Sequence, residues 1–172
     1  MAYHLLLTTR NYGTKINIMI NLSGKKAPNF KLKSTTNKII ELKKLKKKYI
    51  VLYFYPKDDT PGCTLETQDF NKLLTKFKKL DCEIYGISKD SIESHEKFKK
   101  KYNVKFALLS DEKKVSIKLF KTWGLKKFMG KEFMGQIRST FLIKNSKILK
   151  EWRNVRVKNH AQEVLDFIKS QK

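Results

Sequence analysis

The stretch Tyr49-Ile-Val-Leu-Tyr-Phe-Tyr-Pro-Lys-Asp-Asp-Thr-Pro-Gly-Cys63 holds the signals that decide the fold. Residues 49–55 are unbroken apolar and aromatic sequence with no polar alternation, the pattern of a strand buried on both faces. Pro56 ends that strand, and Asp58 to Gly62 is turn chemistry. From Cys63 onward Leu65, Phe70, Leu73, Leu74, Phe77 and Leu80 recur at roughly helical spacing. The reading is strand, turn, helix, with a cysteine on the helix's first turn at the carboxyl end of a central strand.

Working outward, Cys82 to Ser88 reads as a second strand. Asp90 with Glu93 forms a capping box that opens a helix through about Tyr102. Ala107 to Leu109 is a short strand, and Val115, Leu119, Phe120 and Trp123 suggest a helix that stops at Gly124. Ser139–Ile143 and Ile148–Trp152 flank Lys144–Lys147 as a β-hairpin. Asn159 caps a last helix carrying Ala161, Val164, Leu165 and Ile168. Upstream, Ala27 to Leu32 is extended, and Leu42, Leu45 and Tyr49 share one face of an amphipathic segment. The order predicts an α/β fold, a central mostly parallel or mixed sheet flanked by helices on both faces.

With 172 residues and 40% hydrophobic content the chain supports one domain with a substantial core. Aromatics at 12% argue against disorder, and every apolar run is too short to span a membrane. Residues 1–18 are basic, polar and irregular, with an apolar run limited to Leu5–Leu7. They fit neither a secretory signal nor, except loosely, a transit peptide. The globular pattern begins near Met19. The expected organisation is a flexible extension over 1–20 and a single domain over 21–172, in the cytoplasm.

The 39 Lys plus Arg against 16 Asp plus Glu give a formal charge of +23, which raises nucleic acid or acidic lipid as a partner. Lys43–Lys48 and Lys99–Lys101 are the densest clusters. Lysines run through the whole chain, however, so a solvated basic surface is the favoured reading and no nucleic-acid or membrane partner is expected. Cys63 and Cys82 cannot make a disulfide framework, and His4, His95 and His160 have no metal-ligand spacing with them. No metal or cofactor is expected. His95-Glu96 lacks the second histidine of a zinc-protease helix and reads as a solvated helix face, while Gly130–Gly135 lacks the Lys and Ser or Thr of a phosphate loop.

Chemistry concentrates at Cys63. A helix amino terminus offers unpaired N–H groups and the positive end of a dipole, which favour a negative charge on sulfur. Open α/β sheets also build their sites at strand carboxyl ends. Thr60, three residues earlier, stands where a redox dithiol motif has its first cysteine, so the site reads as a single reactive thiol. The absence of C-x-x-C disfavours a dithiol oxidoreductase.

Pro56, Thr60 and Cys63 form P-x-x-x-T-x-x-C, and with this motif the chain resembles the peroxiredoxins. APNF at 27–30, YFYPKDDTPGCTLE at 53–66, YGIS at 85–88, WGLKKFMGKEFMG at 123–135 and R-x-T-F-L-I at 138–143 are similar to the bacterioferritin comigratory, or Q-type, branch. The resemblance covers about residues 22–170. It implies a thioredoxin-like fold and reduction of hydrogen peroxide and organic hydroperoxides without metal, haem or flavin. It implies Cys63 as the peroxidatic thiolate, Arg138 stabilising that thiolate and holding peroxide, Thr60 positioning peroxide and Pro56 shielding the site. Glu66 also matches the family pattern, although a carboxylate on a first helical turn can equally complement the dipole.

Many members of that branch carry a resolving cysteine five positions after the first, where this chain has Gln68. Cys82 is separated from Cys63 by a helix of about 17 residues, roughly 25 Å, whereas a disulfide needs Cα atoms within about 7 Å. Cys82 is therefore expected to be structural and the enzyme to depend on thioredoxin or another external thiol, as a monomer or weak dimer. The competing function is a basic nucleic-acid-binding protein with an incidental thiol.

Overall fold

The computed structural model describes residues 21–171. The extension expected over 1–20 lies outside the described residues. The chain forms β1 (Lys31–Ser34), β2 (Ile39–Glu41), β3 (Tyr49–Phe54), α1 (Pro61–Lys79), β4 (Cys82–Ser88), α2 (Ile92–Tyr102), β5 (Ala107–Ser110), α3 (Val115–Leu119), β6 (Trp123–Phe128), β7 (Lys131–Gln136), β8 (Ser139–Lys144), β9 (Lys147–Arg153) and α4 (His160–Ser170).

Seven strands make one sheet in the order β2-β1-β5-β4-β3-β8-β9. The sheet is mixed: β3 with β4 and β4 with β5 pair in parallel, and the other four pairings are antiparallel. The parallel share is smaller than the βαβα pattern suggests, because β1 comes back antiparallel beside β5 and the β8–β9 hairpin closes the other side. All six residues of β3 are buried, and the period of two along a strand divides them between two cores. Val51, Tyr53 and Tyr55 pack with Phe70, Phe77, Phe98, Val164 and Leu165 of α1, α2 and α4. Ile50, Leu52 and Phe54 pack on the opposite face with Phe30, Ile117 and Phe120. The site-bearing helix α1 thus lies on a sheet with no wet face at its centre.

Gly86 is required where β4 passes Tyr53. A Cβ there would lie 2.6 Å from the Tyr53 hydroxyl and 2.7 Å from Leu108.

Several local expectations change. The segment around Leu42 and Leu45 is a strand followed by a short 3-10 turn over Leu42–Lys44, and Tyr49 already belongs to β3. The first strand runs Lys31–Ser34, not Ala27–Leu32. Ser91 is the N-cap of α2, accepting from the Ser94 N–H at 3.2 Å, while Asp90 accepts from Ser88 Oγ at 2.6 Å. Asn159 precedes α4 with a left-handed backbone and makes no side-chain cap bond. Helix α3 ends at Leu119, because Lys121 adopts a left-handed φ of 56° and the Thr122 N–H turns back to Ile117 O at 2.9 Å. Trp123 and Gly124 consequently open a separate two-stranded hairpin, β6–β7.

Candidate active site

Cys63 sits on the first turn of α1 and is 1% exposed. Thr60 is the N-cap in an extended conformation, and its carbonyl accepts from the Thr64 N–H at 2.9 Å. Pro61 takes the first helical position, where its missing N–H leaves nothing unpaired. The Thr60 hydroxyl donates to Lys57 O at 2.8 Å and makes no cap bond, so in this state it braces the preceding turn and not the sulfur.

Arg138, in the short link between β7 and β8, reaches the sulfur from the other side. Its Nη2 donates to Cys63 Sγ at 3.3 Å, and its Nη1 donates to Glu66 Oε2. The approach depends on Gly62, where a Cβ would stand 3.2 Å from Arg138 Nη2. Cys63 and Glu66 are three residues apart on one helix, so they share a face and one guanidinium spans both. Glu66 is 1% exposed, and burial pushes its carboxyl up to about 7 against the downward pull of Arg138. Its second oxygen has no partner among the described residues. Arg138 thus sits between a sulfur and a carboxyl whose negative charge is costly where it lies.

The surrounding groups fix this arrangement. Tyr53 hydrogen-bonds Thr67 at 2.9 Å and stacks on Phe70 with ring centroids 4.8 Å apart, which pins α1 to β3. Before Cys63, Asp58 accepts from Tyr55 at 2.6 Å and from Ser94 Oγ at 2.8 Å, and His95 Nδ1 lies 2.7 Å from Asp58 Oδ2. His95 Nε2 faces the Leu109 carbonyl at 3.0 Å, so that nitrogen is the donor there, and Nδ1 hydrogen-bonds Asp58. His95 is fully buried, which corrects the solvated reading: α2 turns it inward to tie the Pro56–Thr60 loop to α2 and β5. Asp58, Asp90 and His95 bring their ligand atoms within 4.8 Å of one another, but hydrogen bonds engage these atoms as a lock for the loop.

Pro56 lines a pocket of about 350 Å³ with Arg138, Ile137, Leu125, Lys126, Lys127, Asn154 and Val155. Elsewhere in the core, His160 Nε2 pairs with Thr140 Oγ1 at 2.8 Å. Burial, with the positive charge of Arg138, drives its pKa down to about 4.

Cys82, the first residue of β4, is buried against the apolar core, and burial pushes its thiol well up. It stands beyond the far end of the 19-residue helix α1, which at ~1.5 Å per residue is about 28 Å long. Sequence reasoning missed the Asp58–His95 lock, the His160–Thr140 pair and the β6–β7 hairpin. Glu66 was visible only as a motif match, although its spacing from Cys63 already puts the two on one face.

A thioredoxin-like α/β sheet with one buried cysteine at a helix start, held by an arginine, defines a thiol-based redox enzyme. Residues 23–152 match the AhpC/TSA family. Over 147 residues the chain is 50% identical to peroxiredoxin Bcp of Bacillus subtilis strain 168, covering 85% of this chain and 94% of that one. It is 46% identical over 146 residues to a putative peroxiredoxin bcp of Helicobacter pylori strain 26695, covering 84% and 96%. Among solved structures, the bacterioferritin comigratory protein of Xanthomonas campestris aligns with a TM-score of 0.78 at 37% identity, over 83% of this chain and 91% of that one. Peroxidoxin BcpB of Mycobacterium tuberculosis aligns with a TM-score of 0.77 at 28% identity, over 87% and 97%. The chain belongs to the AhpC/TSA family of peroxiredoxins. It is a thiol peroxidase, and the nucleic-acid alternative falls away.

Proposed function

We propose that Cys63 is the peroxidatic cysteine of this domain, residues 21–172, and that Arg138 is its electrostatic partner. One observation carries the assignment: a guanidinium donating to Sγ at 3.3 Å, on a sulfur at the amino end of α1. The Cys63 thiolate attacks the terminal oxygen of a hydroperoxide. The S–O bond forms as the O–O bond breaks, leaving a sulfenic acid on Cys63 and an alkoxide or hydroxide that takes up a proton to leave as alcohol or water.

Negative charge moves from sulfur to the departing oxygen, and a fixed cation beside both lowers that barrier. The N–H groups of Gly62 and Cys63 have no acceptor among the described residues and can act with it. Glu66 holds Arg138 in place. Thr60 positions the peroxide once its hydroxyl turns from Lys57 O toward the sulfur. Pro56, with Ile137 and Leu125, supplies apolar surface beside Arg138.

Hydrogen peroxide and organic hydroperoxides are the substrates. The Xanthomonas campestris protein is described for its alkyl peroxide reduction activity, and the partly apolar pocket supports the same breadth here. With Gln68 at the usual resolving position and Cys82 beyond a whole helix, an external thiol such as thioredoxin reduces the sulfenic acid. The +23 charge favours the monomer by self-repulsion, and a reduced working thiol suits the cytoplasm. With dithiothreitol as reductant, the wild type is expected to consume peroxide and Cys63→Ser to do so no faster than buffer. Retained turnover in Cys63→Ser refutes the assignment.

A further inference from the structure

We propose that the β6–β7 hairpin is the docking platform for a protein thiol reductant whose reactive cysteine is surrounded by apolar and acidic side chains. The proposal rests on the peroxidase reading above and names the partner of that same site. Five of the nine exposed large apolar residues of the described chain, Leu125, Phe128, Met129, Phe133 and Met134, fall within this one hairpin, with Phe128 67% and Met129 85% exposed. They occupy both faces: Leu125 lies opposite Met134, while Phe133 lies opposite Lys126 and Phe128 opposite Lys131.

The hairpin forms a sheet of its own two strands, and an isolated ribbon gains little stability from such side chains while they stay wet. A cluster of exposed apolar groups of this kind marks an interaction surface.

Three observations select the occupant. The hairpin adjoins the site, since Leu125, Lys126 and Lys127 line the same pocket as Pro56 and Arg138. A molecule seated on it therefore lies beside Arg138, whose Nη2 donates to Cys63 Sγ. Between Leu125 and Met134 the hairpin carries Lys126, Lys127 and Lys131 against a single acid, Glu132, which favours an acidic partner. A second copy of this chain would bring +23 against +23 and is disfavoured. A small thiol such as glutathione needs no apolar platform, whereas a protein must hold its cysteine at the sulfur for two successive steps.

In the first step its thiolate attacks Cys63 sulfenic acid, forming a mixed disulfide as hydroxide leaves and is protonated to water. In the second its other cysteine attacks the partner sulfur, releasing Cys63 as thiolate and leaving the reductant as a disulfide.

The test uses the full chain and a variant combining Phe128→Ser with Met129→Asn. Asn accepts the left-handed φ of 48° at position 129, so the turn is preserved. Thioredoxin recycled by its reductase is the protein probe, with dithiothreitol and glutathione as small thiols. The variant is expected to lose about tenfold or more in kcat/KM for thioredoxin, as truncation of central interface anchors does. Its oxidation by peroxide and its turnover with dithiothreitol should be unchanged. Added salt should raise the wild-type KM for thioredoxin but not for dithiothreitol. Unchanged thioredoxin kinetics in the variant, wild-type turnover as fast with glutathione as with thioredoxin, or a change confined to self-association in light scattering each overturn the proposal. A wild type inert to peroxide even with dithiothreitol overturns the peroxidase reading instead.

Discussion

Replacing Arg138 by Ala removes the guanidinium that hydrogen-bonds both Cys63 and Glu66, and the effects on rate and on stability can be measured apart. For the reaction, removal of a single preorganised donor to a developing anion costs about 10²- to 10³-fold, or ~2.7–4 kcal/mol. At 3.3 Å and an effective dielectric near 20, the charge pair with the thiolate has a Coulomb energy of about 5 kcal/mol, so the cation can supply a loss of that size. For stability, a buried carboxylate stripped of its partner costs about 3–5 kcal/mol if it stays ionised. Glu66 already titrates at about 7 and takes a proton instead; against an ordinary value of 4.5 that proton costs about 3 kcal/mol at neutral pH, most of which the wild type already bears. Pairing Arg138→Ala with Glu66→Gln removes that second cost and leaves the first. Stopped-flow Trp fluorescence during peroxide oxidation and urea unfolding read the two quantities. The expected result is a single variant slow but within about 1 kcal/mol of wild-type stability, and a double variant equally slow and more stable by about 3 kcal/mol. A folded Arg138→Ala within threefold of the wild-type rate, or a double variant that regains rate along with stability, refutes the reasoning.

Three further predictions follow from the same geometry. His95→Leu leaves Asp58 without its buried partner and should cost about 2 kcal/mol or more of stability in urea unfolding; an unchanged midpoint would contradict the lock. His160 has a folded pKa of about 4 against 6.5 when free. Its contribution is thus complete above pH 6.5 and is lost as pH falls toward 4, by about 3 kcal/mol in all. His160→Gln should flatten that part of the wild-type stability profile, and a parallel profile would count against it. Gly62→Ala pushes a methyl to 3.2 Å from Arg138 Nη2 and should slow peroxide oxidation severalfold with little change in melting temperature, so a rate equal to wild type speaks against that close approach.

The sheet centre was legible because Tyr49–Tyr55 is buried on both faces and so carries no polar residue, a pattern that tertiary context reinforces. The helix after it was legible from the spacing of Phe70, Leu74 and Phe77. The β6–β7 hairpin was not, because Trp123 falls at helical spacing from Leu119 and Phe120, and only the left-handed turn at Lys121 breaks the helix. Its apolar residues also point to both sides, so they lack the one-faced alternation that identifies a strand. His95 was misjudged because its neighbours Glu93, Ser94, Glu96 and Lys97 are polar, and its burial depends on a loop from elsewhere in the chain. The position of Cys63 was readable locally. The meeting of Arg138 with Cys63 and Glu66 spans 75 and 72 residues of chain and needed the fold, or a family resemblance, to be seen.

The most direct test of the account is intact mass and peptide mapping of the protein after one equivalent of hydrogen peroxide without reductant. The account predicts a monomer heavier by one oxygen atom, with the oxygen on Cys63 as sulfenic acid, and Cys82 unmodified. A Cys63–Cys82 disulfide as the main product, or oxygen on Cys82 with Cys63 untouched, would contradict it.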